Sequence, residues 1–590
     1  TGIIASFIVY TIYPLILNLT PAVPMGNILA IGIDETPDTI DPLDSWNYYH
    51  LIPYPFFPPV NNPTNTPDSI SNYILNQVVE TLIAYDLSDP SFPLKGRLAE
   101  SWDFQNTKFG TNITFQLREN VFFHDGSEFN GDCVIHTFER INYFSNWTGN
   151  LPYTEKKALT QPIYKFSDGT PIFNHSLSFV SPTDNLEVTL VLNAPFGPAE
   201  GLLAYTASAI IHPNSTLVDK MLNPYEDLLI GTGPFKILCF APELSIRLTR
   251  WDRYWSTGAF WDEIRYIYYD NSQQARNTLI SGDIDYLMNP LDSDIVSYIA
   301  DPEISVVGDG NLNYSNGSIY WYIGINSMVI NRTWRKAICH AFNYSYLIHN
   351  IKEDKVVRAA SLVHPHFPEH NSSIQACTYN ISYARLLMQK MGYGVGWEVG
   401  SMNGEKFIPG ADESQWTEAE FIPNLGNFSV NQWNFAHRQG SHFMELLIQR
   451  FAEDMDLLGI DVVPMVLTWD QWFPPYYYHP ERIHFHYSGW GSDYVEAFYT
   501  IDPLFNPESD HNLGLIDDAE INNLLDQVKG ESDTSQRYQN YKKLQYIIHK
   551  KNYYHMPLMY DKRYYVHRAT LKGFLYNPMK ISYWYPTYRG

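Results

Sequence analysis

Five histidines stand out as groups able to hold a metal: His364, His366 and His370 in a Pro-containing loop, and His484 and His486 spaced two apart on one expected strand face. Imidazole suits nickel and other late transition ions. Neither set is joined by a cysteine or a clear third ligand, so these side chains are expected to be satisfied internally or to face solvent, with no metal. Four cysteines, Cys133, Cys239, Cys339 and Cys377, allow three pairings if all are oxidised. No C-x-x-C pair occurs, which removes a zinc knuckle or a thioredoxin-type site. Carboxylates are plentiful, but sequence spacing does not show a shared cleft. H-E-x-x-H, G-x-S-x-G and kinase-type sets are absent. Gly231–Ile237 (GTGPFKI) is not a nucleotide loop, since no strand-GxGxxG-helix or GxxxxGK[ST] pattern accompanies it. Neither enzymatic activity nor a cofactor is expected.

The elements that would position such groups alternate between helix and strand. Ile28–Ile33 reads as a short apolar strand, running into a loop rich in Asp, Pro and Thr. Pro53–Pro67 reads as a loop insert. Ser71–Leu82 has helical spacing, with Ile74, Val78 and Leu82 on one face. Ile113–Leu117 and Leu186–Leu192 read as strands, Asp125-Gly126 as a hairpin-type turn and Gly131–Ile141 as helix. Further helices are expected at Trp334–Phe342, Ser382–Met391, Phe443–Leu458 and Tyr538–Lys550, and strands at Ile319–Ile325, Asp461–Val466 and Ile483–Tyr487. The class is α/β.

At 590 residues the chain is long enough for several cores. Its 64 acidic and 39 basic side chains leave a net charge of −25, with no Lys/Arg-rich run, so nucleic acid is not an expected partner. Asn-x-Ser/Thr occurs at Asn18, Asn112, Asn146, Asn174, Asn214, Asn313, Asn316, Asn331, Asn343, Asn371, Asn380 and Asn427, which favours an exported glycoprotein. Residues 1–26 are an apolar segment, with Ile3–Leu17 short for a membrane span. They read as a mature N-terminus held in a bilayer or an assembly, similar in character to the processed N-terminal helix of type IV pilin-like archaeal proteins. No cysteine near the start would carry a bacterial lipid anchor.

Taken in order, the remaining segments resemble family 5 of the bacterial and archaeal extracellular solute-binding proteins, the oligopeptide/dipeptide-binding class. Ile70–Asp86, with Glu-x-Leu-x-x-Tyr, is similar to the opening helix motif. Leu98–Phe104 (LAESWDF), Thr114–Arg118 (TFQLR) and Val121–Phe129 (VFFHDGSEF) follow at the family's spacing, then Gly231–Ile237, Leu248–Trp255 and Leu279–Asp285. Tyr320–Asn326 and Arg335–Phe342 resemble the entry to the second lobe, and Ser488–Tyr494 (SGWGSDY) and Tyr538–Leu558 close the pattern. The departures are Asn343, where the family usually has Asp, the Pro53–Pro67 insert and the apolar N-terminus.

The resemblance implies a two-lobed periplasmic-binding-protein-like fold: first lobe 27–84, 216–318 and 563–590, an inserted subdomain 85–215, and second lobe 319–562. It implies an oligopeptide ligand buried between lobes that close by hinge motion, and an ABC permease as partner. An extended peptide is held through its backbone, but its free amine needs a counter-charge. In peptide-binding members that carboxylate lies in the segment matching Ser488–Tyr494, which implies Asp493, with Trp490 walling the pocket and Ser488 and Gly489 offering backbone partners. Asn76, Glu80 and Tyr85 would contribute from the first lobe and Asn326 from the hinge. Of Tyr320 and Trp321, strand neighbours, one is expected in the core and one in the groove. Some relatives carry nickel complexes, although neither histidine set here is complete. A Cys339–Cys377 bridge is expected within the second lobe, with Cys133 and Cys239 as buried thiols. The rival reading is a structural subunit, the same fold built into an extracellular filament or surface assembly through residues 1–26.

Overall fold

The computed structural model describes residues 27–37, 39–43, 69–107, 110–145, 164, 166, 170–241, 244–307, 316–391, 432–438, 441–467, 482–491, 494–509, 511–577 and 581–590. The apolar N-terminus, the Pro53–Pro67 insert, Asn18, Asn146, Asn313, Asn427 and Asp493 lie outside the described residues.

The chain opens with β1 (Ile28–Ile33) and α1 (Ser69–Val78). β2 (Ile83–Tyr85), β3 (Leu94–Gly96), β4 (Ala99–Thr107) and β5 (Gly110–Leu117) follow, then α2 (Gly131–Ser145), β6 (Phe179–Val180) and β7 (Glu187–Val191). Next come β8 (Phe235–Ala241), β9 (Ser245–Arg250), β10 (Glu263–Tyr268), β11 (Tyr286–Leu287), β12 (Ile304–Val307) and β13 (Asn316–Ile325). α3 (Arg332–Ala341), β14 (Val356–Arg358), α4 (Ile381–Lys390), β15 (Gln432–Arg438), α5 (His442–Asp456), β16 (Asp461–Leu467) and β17 (Phe485–Gly491) continue. α6 (Ala497–Phe505), α7 (Ala519–Gly530), α8 (Thr534–Tyr546), β18 (His555–Lys562) and β19 (Tyr565–Arg568) complete the set used below.

These strands form three main sheets. The first has seven strands in the order β12-β19-β11-β1-β10-β9-β8. β1 lies inside it, parallel to both β10 and β11, and nearly every residue of ILAIGI is buried, as suits a strand covered on both faces. The second has six strands, β14-β18-β13-β17-β15-β16, and the third is the four-stranded β4-β5-β7-β6. The chain passes between the first two sheets from β12 to β13 and again from β18 to β19. Tyr320, Tyr322 and Trp490 belong to the same core as the four-stranded sheet, whereas Ile323, Ile325 and Phe485 pack with α3, α4 and α5. Strand alternation thus divides the second sheet into two differently partnered faces. Trp321, next to Tyr320, is half-buried and stacks on Tyr487 at 5.3 Å.

Two sequence blocks lock together around α1. Gly231 and Gly233 cross its C-terminal end so closely that a Cβ would lie 2.0 Å from the Val78 carbonyl oxygen at Gly231, and 2.6 Å from the Gln77 oxygen at Gly233. The Gly233 N–H donates to that Val78 carbonyl at 3.0 Å. α1 accordingly stops at Val78 rather than running to Leu82: the Val78 carbonyl, which would accept the Leu82 N–H in a longer helix, is taken by Gly233, and the Glu80 carbonyl accepts the Ile210 N–H. His124, in the turn with Gly126 at φ +91°, donates its N–H to the Gly231 carbonyl, and its Nε2 lies 2.9 Å from the Gly233 carbonyl. Elsewhere the structure shifts two expectations. β17 begins at Phe485, because the carbonyls of Ile483 and His484 are engaged by Asn326. α8 begins at Thr534, where the Asp533 side chain caps the Gln536 N–H.

Several sequon asparagines have structural work. Asn331, Asn343 and Asn380 are helix N-caps whose side chains accept backbone N–H groups. Asn174 bonds Asn193, and Asn371 donates to the Lys542 carbonyl, while Asn112 and Asn214 are exposed. Asn316 opens β13.

Gly231→Ala should therefore destabilise the protein by about 3 kcal/mol, because backbone opposes the new methyl and cannot swing away. Gly258→Ala, with nothing within 4 Å of the added carbon, should leave the melting temperature nearly unchanged. Thermal unfolding of the two variants compares them directly.

Candidate functional site

Two of the three expected first-lobe residues, Asn76 and Glu80, meet at a buried node. Glu80, just beyond α1, accepts from Arg97 Nε at 2.7 Å and Tyr254 Oη at 2.9 Å on Oε1, and from Trp255 Nε1 at 2.9 Å and Thr232 Oγ1 at 3.0 Å on Oε2. Arg97 in turn lies over the Tyr583 ring at 4.7 Å. Both carboxylate oxygens accept from protein donors, which fixes the Glu80 side chain at this node. Asn76 accepts from Thr206 Oγ1 at 2.8 Å and lines, with Glu80, Arg97 and Tyr583, a crevice of about 10 Å³, room for one water at most. Asn326 is likewise committed: its amide donates to the Ile483 carbonyl at 2.7 Å and its Oδ1 accepts the Met328 N–H.

Ser488, Gly489 and Trp490 lie within β17, where they pair with Tyr322, Trp321 and Tyr320 of β13. Gly489 is required by the Trp321 ring, which a Cβ there would approach to 2.5 Å. Trp490 is buried, donates Nε1 to the Tyr499 carbonyl at 3.1 Å and faces His511 edge-on at 5.1 Å. Its ring closes a wall against α6.

Beyond β17 the chain enters a seam between the four-stranded unit and the second sheet's helices. Tyr85, at the end of β2, accepts the Val495 N–H on its hydroxyl at 3.1 Å, a contact 410 residues apart in sequence. Tyr205 and Tyr494 face each other at 6.2 Å, and Phe196 meets Phe498 edge-on at 5.5 Å. Two glycines set the spacing. A Cβ on Gly197 would fall 2.1 Å from the Glu531 carbonyl, and one on Gly201 would fall 2.8 Å from the Tyr494 ring. The Gly197 N–H donates to the Lys529 carbonyl at 2.7 Å, and Asn106 donates to the Gly530 carbonyl at 2.7 Å.

Acidic side chains outnumber basic ones in this seam, which sequence reasoning missed. Glu200 accepts from Trp102 Nε1 at 2.6 Å, and Glu496 takes the Tyr541 hydroxyl and lies 3.5 Å from Arg537. Glu369 is fully buried, and neither of its carboxylate oxygens has a hydrogen-bond partner. Its own backbone N–H and that of Ala497, at the start of α6, lie near enough to favour the charged form, but burial outweighs them. Burial, reinforced by the charge of Glu496, pushes its carboxyl up to about 8, so the group is mostly protonated at neutral pH. Burial also raises Glu496, opposed by Arg537. No local signal in HPHFPEHN marks Glu369, because its surroundings come from residues more than 100 positions away.

The five histidines are not gathered into a metal site, and no group of three or more His, Cys, Asp or Glu able to hold an ion occurs among the described residues. His364, His484 and His486 are buried, with their imidazoles lowered to about 3 by desolvation, so they stay neutral. Cys339 and Cys377 are buried free thiols, close enough that each perturbs the other's ionisation. Cys133 is buried, as expected, but Cys239 is only half-buried, on β8 at the edge of its sheet.

Glu369→Gln isolates the acid in the seam. The folded pKa lies above the unfolded value near 4.5, so the stabilising contribution is full below pH 4.5 and is lost as pH rises toward 8. The variant should melt higher than the parent at pH 8, by about 2–4 kcal/mol in stability. The gap should close toward pH 5, as read by melting curves at the two pH values.

Comparison with known proteins agrees with this architecture. The family described as "Bacterial extracellular solute-binding proteins, family 5 Middle" matches residues 93–512. Heme-binding protein A of Haemophilus influenzae is similar over 529 residues at 21% identity, covering 87% of this chain and 86% of that one. The dipeptide-binding protein of Escherichia coli is similar over 364 residues at 25% identity, 59% of this chain and 63% of that one. In fold, the chain is similar to the ABC transporter-associated periplasmic binding protein DppA from Helicobacter pylori in complex with peptide STSA. The TM-score is 0.64 at 19% identity, covering 96% of this chain and 98% of the other.

Proposed function

This chain belongs to family 5 of the bacterial extracellular solute-binding proteins, and from that premise we propose that it captures oligopeptides between two lobes and delivers them to an ABC importer. The first lobe holds the seven-stranded sheet (27–84, 216–318 and 563–590), the inserted subdomain spans 85–215, and the second lobe spans 319–562. The peptide reading draws on relatives whose names specify dipeptides and a bound peptide. The observation that carries the choice of site is the Tyr85–Val495 hydrogen bond. It ties the inserted unit to the second lobe at Val495, in the chain that follows the Ser488–Gly491 strand with its buried Trp490.

In this reading Asp493 is the counter-charge for the ligand's free α-amine, Trp490 and Tyr85 wall its pocket, and backbone groups near Ser488 and Gly489 bind the extended peptide. A buried ammonium without such a partner costs several kcal/mol, which gives one carboxylate strong selectivity. Closure around the ligand reports occupancy to the permease, because a ligand shifts the two-state balance by its differential affinity.

Calorimetric titration of the purified chain with mixed short peptides should show saturable binding. Asp493→Ala should weaken peptides with a free amine by about 2–5 kcal/mol, roughly 30-fold or more, and leave N-acetylated peptides little changed. Absence of peptide binding together with tight binding of haem would replace the ligand class. Equal losses for both peptide types would remove the role of Asp493.

A further inference from the structure

Residues 359–380, between β14 and α4, form a strap without helix or strand. Its first half is sunk in one core: Ala359, Leu362, Val363 and Phe367 pack in the cluster shared with the four-stranded unit. Its far end, at Cys377, sits in the other core, beside α3. A long irregular segment that joins two cores is costly to order, and its attachment points matter.

Cys339, on α3, meets Cys377 at that far attachment. Both side chains are buried free thiols, close enough that each perturbs the other's ionisation. The contact is held in register from both sides. His340 Nδ1 lies 2.9 Å from the Thr378 carbonyl, and the Asn380 N–H donates to the His340 carbonyl at 2.7 Å. Arg358 donates to the Cys377 carbonyl at 3.3 Å while its guanidinium lies over the Tyr344 ring, and the Tyr344 hydroxyl donates to the Cys339 carbonyl at 3.0 Å. The other two cysteines sit on different elements, Cys133 on α2 bonded to Asn130 and Cys239 on β8.

We propose that Cys339 and Cys377 are a redox site that closes as a disulfide in an oxidising compartment and clamps the strap to α3. The Cys377 thiolate attacks one sulfur of a low-molecular-weight disulfide, forming a mixed disulfide and expelling one thiolate. Cys339 then gives its proton to water and attacks the Cys377 sulfur, expelling the second thiolate. Two protein thiols are oxidised and one external disulfide is reduced to two thiols. The order of attack follows from the surroundings. Cys339, with Lys550, Arg358 and Lys336 nearby, lowers the Cys377 thiol, whereas burial raises that of Cys339.

The test uses the full chain, unfolded and reduced, then refolded in a buffer of oxidised and reduced glutathione. Alkylation with iodoacetamide in denaturant, followed by mass spectrometry, should label Cys133 and Cys239 only, and a proteolytic digest should contain a peptide pair joined through Cys339 and Cys377. Labelling of all four cysteines, or a bridge that includes Cys133 or Cys239, would overturn the assignment. Reduction should then lower the melting temperature by several degrees in the parent and leave Cys377→Ala unmoved. An unchanged parent, or an equal fall in both, would overturn the clamp.

Discussion

One carboxylate gathers the first half of the molecule. Glu80 collects donors from Arg97, Thr232, Tyr254 and Trp255, which belong to β3–β4, the glycine crossover and the turn after β9. A charged group nearly sealed from water is tolerated only when its lone pairs are filled and an opposite charge is present, and here both conditions are met. Losing any one donor leaves a buried anion short of a partner. The aromatic pair Tyr583 and Tyr585, which receives the back of Arg97, extends the same dependence to the C-terminal segment.

The second half is organised by a sheet with two different faces. Ile323, Ile325 and Phe485 meet α3, α4 and α5, while Tyr320, Tyr322 and Trp490 meet α6 and the four-stranded unit. The aromatic face continues through His555, stacked on Tyr322 at 4.0 Å. Because alternation sends successive residues of β13 and β17 to opposite sides, each strand serves the lobe's own core and the seam at once. The acid in that seam belongs to the same surface: Glu200 arrives from one side, Glu369 and Glu496 from the other, with Arg537 beside Glu496.

Much of the local structure is written in the residues. β1 shows as ILAIGI, and the capped helices begin at Asn331, Asn380 and Asp533, where a side-chain oxygen meets the first free N–H groups. The same capping explains part of the Asn-x-Ser/Thr pattern without reference to sugar, because a cap needs an asparagine or a hydroxyl at that place. Long-range facts were not legible. The seven-stranded sheet is drawn from well-separated stretches, and α1 ends where it does because a glycine 155 positions later takes its carbonyl. Glu80 looks like any acid on an amphipathic helix until its four donors converge. Glu369 has no periodicity or motif to announce it. The segment resemblance supplied what local physics did not, namely which blocks face one another.

The bare backbone at Gly197 and Gly201 sets a tolerance for the whole receptor. Neither glycine is strained, so each would accept a methyl group if its own unit stood alone; what forbids it is the surface opposite. A side chain at either place would be a doorstop, leaving both halves intact while preventing the last ångströms of approach. The width of the seam is therefore inherited as two missing atoms, and under the closure proposed above a single substitution would leave the protein ajar.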